Sequence, residues 1–383
     1  MTYPYAQAVD PVSVQMDPKK LENVIDLFKK QQSSGAFPGG QMVVRRFGEV
    51  VVNESIGIAR PALSTNSIPY SVKHHTPFPV YSAGKPIAAI VIAILEDRGL
   101  IDVTAPISDL LSEFAAHGKQ HITTLDILTH TAGILIPSSY TLTPEKKLVW
   151  RSIVEATPMY PRGTFAYMPL EYGVILSEIV MRVTGKTLPE FLDTEIATPL
   201  HLPALQYGLA NRDINTLAYS FWLGKKPVKI YDALIADVEE NMNAEACFNS
   251  MNPAYNMITD ASTLAAFYEY MIHKGLGPNG RQLLSDQTLH KYTTKAISGW
   301  NKTLKIPLSM GRGFTLGGLF PSAYGWWNTQ GCFGHGGMFS SLAYGNHRTQ
   351  LAVAIITNGN RSLYDFYKRF IPLTHGIRQA CNT

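Results

Sequence analysis

Residues Val80–Lys85 read V-Y-S-A-G-K and run directly into the apolar stretch Pro86–Leu95, P-I-A-A-I-V-I-A-I-L. A serine and a lysine three residues apart at a helix entry lie on one face and can touch, which sets a nucleophile beside a possible base. Ile87–Leu95 is apolar on every side, so the spacing predicts a helix buried through the centre of the molecule. Pro86 is tolerated in a first turn, and Gly99 after Asp97-Arg98 supplies the stop. At the mouth of such a helix, Ser82 has backbone N–H groups and the positive end of the dipole close to its oxygen. The tetrapeptide alone arises by chance in a chain of this size, and a structural cap accounts for it equally well at this point.

The composition bounds what this helix belongs to. With 383 residues the chain can bury a large core. A hydrophobic content of 45% against 16% charged residues is that of a compact fold rather than a disordered one. The net charge of +4 is small, and the basic residues are scattered singly or in pairs, so no nucleic-acid partner is expected. Cys247, Cys332 and Cys381 are odd in number and far apart, which fits free thiols and neither a disulfide framework nor a zinc cage. His117 and His121 are four apart but lack a glutamate and a third ligand, so no metal and no cofactor is expected. Met1–Asp17 has no basic start followed by an apolar core, and no stretch is long enough to span a bilayer. The expectation is a cytoplasmic protein without a membrane partner, its oligomeric state open.

Working outward, Pro18–Lys30 has helical spacing, and Gln41–Phe47 with Val50–Ile58 reads as a hairpin split by Gly48-Glu49. The middle of the chain is helical: Thr123–Thr129, Lys147–Glu155, Leu170–Thr184 and Leu188–Ile196, then Asp260–His273. Strands return at Gly311–Leu316, Met338–Tyr344 and Leu351–Thr357, and Ser362–Arg378 closes the chain as a helix. Strands from both ends with helices between them predict one sheet built by the two termini and an inserted, mostly helical lobe. The expected boundaries are 1–78 with 254–383 for an α/β sheet domain and 79–253 for the helical lobe, with the active site between them. Long loops around Leu135–Met159 and Tyr207–Pro253 are expected to shape the pocket.

Two further segments invite chemistry. Tyr167 lies in F-A-Y-M-P, and His335 lies in F-G-H-G-G, where Gly334, Gly336 and Gly337 let a backbone approach a ligand closely. Taken singly, the tyrosine is a packed aromatic and the glycines a turn or bulge. Together and in this order, Ser82 with Lys85, Tyr167, and His335-Gly336-Gly337 resemble the serine β-lactamases and penicillin-binding proteins. The likeness is to the class C-like branch with D-aminopeptidases, family VIII carboxylesterases and related acyltransferases. H-I-T-T-L-D-I-L-T-H-T-A-G-I at His121–Ile134, V-T-G-K-T-L-P-E-F-L at Val183–Leu192 and I-A-T-P-L-H-L at Ile196–Leu202 extend the resemblance over nearly the whole chain.

The resemblance implies an α/β (α+β), β-lactamase-like fold, with a central antiparallel sheet flanked by N- and C-terminal helices. It also implies acyl transfer through a covalent acyl-serine. Ser82 would attack a carbonyl, with Lys85 and Tyr167 handling its proton, and the Ser82 and Met338 N–H groups would form the oxyanion hole. Either the lysine is neutral or the tyrosine ionised, so one pKa must fall far, and which of the two is the base stays open. His335, Gly336 and Gly337, with Trp326, Trp327 and Phe333 and the nearby Phe339, are the expected substrate contacts.

Two departures narrow the function. The family's Tyr-x-Asn is here Tyr167-Met168-Pro169, and its lysine in the third motif is here His335, which removes an amide and a fixed cation. Both point away from β-lactams and cell-wall peptides. The leading expectation is a carboxylesterase acting on a small or apolar ester. The alternatives are an acyltransferase to a secondary-metabolite alcohol or amine, a D-aminopeptidase or weak β-lactamase, and a catalytically silent binding protein. The partner in the catalytic readings is a small-molecule ester or other acyl donor.

Overall fold

The near-continuous apolar run Leu351–Thr357 is a strand buried at all seven positions in the computed structural model. The structure describes residues 4–62, 68–136, 146–226, 228–230, 233–235, 237–249, 252–277 and 280–381. Of the loops expected to shape the pocket, residues 137–145, 227, 231–232, 236 and 250–251 lie outside that set.

One antiparallel sheet has nine strands: β1 (Gly39–Arg46), β2 (Glu49–Arg60), β3 (Tyr70–Ser71), β4 (Ile297–Asn301), β5 (Ile306–Met310), β6 (Thr315–Leu316), β7 (Cys332–Gly337), β8 (Ser341–Asn346) and β9 (Leu351–Thr357). Their order across the sheet is β4-β5-β6-β7-β8-β9-β1-β2-β3, so strands from the two ends of the chain meet where β9 pairs with β1. In register, Ala354 of β9 lies opposite Ala343 of β8 and Val43 of β1. Successive residues face opposite sides, and both sides are covered.

On one face, Met42, Val44, Leu342, Tyr344, Val353 and Ile355 pack against α1 (Pro18–Ser33) and the C-terminal helix Leu363–Ala380. On the other, Val43, Ala343, Ala352, Ala354 and Ile356 belong to the main core. The small alanines let the helix Ala261–Ile272, buried at every position, lie close on the sheet. Among the described residues no helix is long and apolar enough to cross a membrane.

The helix α2 (Lys85–Asp97) runs through this main core, with every residue from Lys85 to Leu95 buried. Each isoleucine buried there contributes about 1.5–3 kcal/mol relative to exposure, so the segment is held by packing rather than by helix propensity. Pro86 sits in its first turn and Gly99, at φ 67°, follows its end. A small sheet of Phe78–Pro79, Met257–Thr259 and Gln206–Tyr207 holds the residues leading into α2, and Val80 N donates to Met257 O at 3.0 Å. That pairing brings residues 254–257 beside the serine turn.

The terminal helices, the first hairpin and β9 fall where the sequence predicts. The strands around residues 306–346 do not. Of the predicted Met338–Tyr344 strand, Met338–Ser340 is a turn and the rest belongs to β8, while β7 lies ahead of it, and the predicted Gly311–Leu316 strand is a turn followed by the two-residue β6. Glycine has low strand propensity, which conceals C-F-G-H-G-G as a strand until its partners β6 and β8 are in place.

Candidate active site

Ser82 lies in a 3-10 turn, Tyr81–Gly84, that leads straight into α2. Tyr81 has φ 51°, an uncommon conformation for a bulky residue, and its buried hydroxyl is held 2.5 Å from Ser220 Oγ. The turn is therefore fixed from behind by packing and by one hydrogen bond.

Lys85 is fully enclosed. Its Nζ lies 3.1 Å from Ser82 Oγ and donates to the carbonyls of Pro169 and Ala254, each at 2.8 Å. The rings of Tyr167 and Tyr172 lie 5.2 and 5.7 Å from the same nitrogen. Burial draws its pKa from the ordinary 10.5 down to about 7, against the opposing pull of Glu171. The Tyr167 hydroxyl bonds the Ser82 side chain, yet burial raises the phenol well above its ordinary range, so it is protonated at neutral pH. Ser82, Lys85 and Tyr167 thus meet as one cluster, with an amine whose pKa is drawn close to neutral pH.

His335 reaches the same cluster from β7. Its ring is 6.0 Å from that of Tyr167, and its Nδ1 is 2.6 Å from Gly336 O, which assigns the proton to Nδ1. Burial first, and Lys85 second, push its pKa down to about 3, so it carries no charge at neutral pH. Gly337 is required by contact: a Cβ there would sit 1.9 Å from Val80 O and 2.9 Å from Ala83 N. Its absence lets β7 lie against the serine turn, and Ser341 Oγ fastens the two by donating to Val80 O at 2.8 Å. Gly336 faces the other way, toward the Phe366 ring on the C-terminal helix.

After Gly337 the chain turns through Met338 and Phe339, both at positive φ, and Arg369 Nη2 donates to Phe339 O at 2.5 Å. Among the described residues no protein acceptor takes the backbone N–H of Ser82 or of Met338. Met338 and Phe339 also pack on a small apolar cluster of Tyr81, Trp222, Val238 and Met242 beside the serine turn.

Three expected contacts are elsewhere. Phe333 shares its strand face with His335 but is fully enclosed by Tyr268, Phe314 and His347, so it is a core residue. Trp326 and Trp327 are exposed in the loop before β7, at the end of that strand remote from Gly337. Arg378 holds the Trp327 carbonyl at 3.1 Å. It lies about 18 Å along the C-terminal helix from Phe366, at about 1.5 Å per residue. Nearness in sequence to His335 misplaced them, because β7 carries the chain away from that loop.

Two residues of the cluster carry no sequence expectation. His130 is fully buried, its ring 4.5 Å from Tyr167 and 5.1 Å from Tyr172, and its Nδ1 accepts the Met168 N–H at 3.1 Å. Burial holds it neutral, with Lys85 and His335 adding to the effect. Glu171, at the first turn of the helix Glu171–Thr184, is 1% exposed and accepts the N–H groups of Ile136 at 2.7 Å and Leu170 at 3.3 Å. The T-H-T-A-G segment signalled His130 only as part of a resemblance, and nothing local marks a helix-start glutamate as buried.

Comparison with known proteins agrees with this fold. The sequence model of the Beta-lactamase family matches residues 24–371. The chain is 27% identical to the esterase/beta-lactamase LipL of Mycobacterium tuberculosis (strain ATCC 25618 / H37Rv), over 93% of this chain and 86% of that protein. Its fold is similar to that of a penicillin-binding protein homolog from Caulobacter crescentus, with TM-score 0.80, 23% identity and coverage of 95% and 98% of the two chains. It is also similar to EstA from Arthrobacter nitroguajacolicus Rue61a, with TM-score 0.79, 20% identity and coverage of 98% of each chain. A nine-stranded antiparallel sheet between terminal helices, a serine–lysine turn ahead of a buried helix, and a match along nearly its full length place this chain in the Beta-lactamase family.

Proposed function

We propose that the protein is a serine acyl hydrolase, a carboxylesterase acting on small or apolar esters through an acyl-serine intermediate. The observation that carries this reading is the environment of Lys85. A neutral amine has two N–H donors and one lone pair. The Pro169 and Ala254 carbonyls take the two donors, which turns the lone pair toward Ser82 Oγ at 3.1 Å. With its pKa near 7, Lys85 is the base and Tyr167 remains a protonated phenol.

In the first half-reaction Ser82 Oγ bonds to the ester carbonyl carbon while its proton passes to Lys85. The tetrahedral oxyanion is received by the N–H groups of Ser82 and Met338. On collapse the alkoxide leaves with a proton from Tyr167, which Lys85 replaces. Water then attacks the acyl-serine by the reverse path, returning Ser82 and releasing the acid. Neutral His335 gives a substrate carboxylate no cation, and Pro169 has no side-chain amide, which disfavours β-lactams. The apolar cluster at Tyr81, Trp222, Val238, Met242, Met338 and Phe339 favours an apolar acyl group. The Mycobacterium relative, named an esterase/beta-lactamase, is in keeping with ester cleavage.

Intact mass spectrometry tests this after brief exposure to p-nitrophenyl esters of graded chain length and to one β-lactam, with Ser82→Ala as control. An acyl increment on wild type alone is expected, strongest with the apolar esters. An alcohol or amine that shortens the life of the adduct by taking the acyl group marks a transferase. Turnover that survives Ser82→Ala rules out the acyl-serine, and a folded wild type that never acylates favours the silent binding protein.

A further inference from the structure

The Pro169–Leu170 peptide lies between two buried ionisable groups. Its C=O accepts from Lys85 Nζ at 2.8 Å, and its N–H donates to Glu171 Oε2 at 3.3 Å. The other carboxyl oxygen, Oε1, takes the Ile136 N–H at 2.7 Å. Both oxygens of Glu171 therefore accept, and among the described hydrogen bonds neither donates, which is the pattern of a carboxylate. Burial raises its pKa above the ordinary carboxyl value, and the backbone donors, Lys85 and its place in the first turn of the helix Glu171–Thr184 oppose that rise. Asn252 completes the frame: its Nδ2 donates to Leu170 O at 3.2 Å and its Oδ1 accepts the Ala254 N–H at 3.1 Å. The two carbonyls that hold Lys85 are thus part of one hydrogen-bonded unit.

We propose that Glu171 is a positioning residue for Lys85, fixing and polarising the Pro169–Leu170 peptide so that a main-chain carbonyl orients the amine where Pro169 has no side-chain acceptor. The proposal rests on the acyl-serine reading and on Lys85 as its base. An N–H bonded to a carboxylate makes the carbonyl of the same peptide a stronger acceptor, so the charge on Glu171 reaches Lys85 both through the peptide and through space. The other titratable groups facing Lys85 are Tyr167 and Tyr172, both protonated phenols, and His130 and His335, both neutral. Glu171 is the acid among them, the group whose charge favours the ammonium form of Lys85.

Glu171→Gln keeps the size but removes the charge and sets an amide N–H against one of the two backbone donors. The acidic limb of the kcat/KM profile on a p-nitrophenyl ester is expected to move to lower pH by about half a unit or more, since an anion that favoured protonated Lys85 is gone. At the plateau, kcat should fall by about tenfold or more with KM within about threefold. Glu171→Asp, which retains the charge, should leave the limb near the wild-type position. A Glu171→Gln limb that does not move overturns the proposal, because a merely structural role lowers activity without shifting that pKa.

Should the variants fail to fold, 15N-leucine-labelled wild type answers the same question. The Leu170 amide resonance is expected to shift in step with the titration that limits kcat/KM, and an amide that ignores it overturns the proposal. Labelling of Ser82 by a fluorophosphonate is the separate check on the acyl-serine: if wild type labels and Glu171→Gln keeps the wild-type profile, this inference alone falls.

Discussion

Lys85 Nζ lies 3.1 Å from Ser82 Oγ at the entry of a helix that is enclosed along its first eleven residues, Lys85 to Leu95. An ammonium there is paid for by lost hydration, so the chemistry and the stability of the protein are tied to one proton.

The first consequence is a pH profile. In the proposed mechanism Lys85 must be neutral to accept the serine proton, and burial draws its pKa down to about 7. Activity on a neutral ester is expected to rise about tenfold per pH unit below that value and to level off above it. A stopped-time assay from pH 5 to 9 checks this, and a profile flat across that range removes Lys85 as the base.

The second concerns stability. Folded Lys85 titrates at about 7 and ordinary lysine at 10.5. Below pH 7 both folded and unfolded chains hold the proton and the full cost of burying it applies; between 7 and 10.5 the unfolded chain binds more protons, so stability rises with pH; above 10.5 the cost is gone. Lys85→Met is expected to abolish turnover yet stabilise the fold by about 1–3 kcal/mol at pH 6, partly offset by leaving Glu171 without its cation. Thermal melts at pH 6 and 9 should show the gain shrinking as pH rises.

Tyr167→Phe removes the hydroxyl that bonds Ser82 and that, in the proposed mechanism, protonates the leaving group. The expected loss in kcat is on the order of a hundredfold, and it should be smaller for p-nitrophenol than for an alkyl alcohol, which needs its proton more. Equal losses for both leaving groups would assign Tyr167 elsewhere.

Gly337→Ala sets a methyl 1.9 Å from Val80 O, a backbone atom that cannot rotate away. Loss of about tenfold or more in kcat/KM is expected with secondary structure intact by circular dichroism. Gly336→Ala meets the Phe366 ring instead, at 2.9 Å, and should cost mainly stability. Similar kinetics for both variants would contradict the close approach of β7 to the serine turn.

Phe333→Ala empties a site walled by Tyr268, Phe314 and His347 and is expected to destabilise by about 3–5 kcal/mol with KM little changed. Trp327→Ala, exposed in a loop at the far end of β7, should leave both stability and KM within error. A raised KM in Trp327→Ala would return that loop to the substrate.

Legibility followed the range of the forces involved. Ser82 and Lys85 were readable because three residues of helix suffice to bring them together, and α2 because its apolar run leaves no face for water. Tyr167 and His335 came from ordered likeness, since the contacts that gather them span more than 80 residues of chain. Phe333 and the two tryptophans were misassigned because strand direction, not sequence distance, decides which end of β7 meets the serine. Glu171 was invisible for a different reason. A glutamate in a first turn ordinarily faces water, and only the return of Ile136 onto it turns it into a buried acceptor.

The enclosure of α2 also bears on how this chain can diverge. Exposing Lys85 and the helix α2 means unpacking the core itself, so the amides of α2 past its first turn belong to the last to exchange with deuterium. Trp222, Val238 and Met242, beside the serine turn, come from the separate segment 221–243, outside that helix. Under the proposed function, substitutions there retune which acyl group is accepted while Lys85, anchored in the most protected part of the molecule, stays as it is.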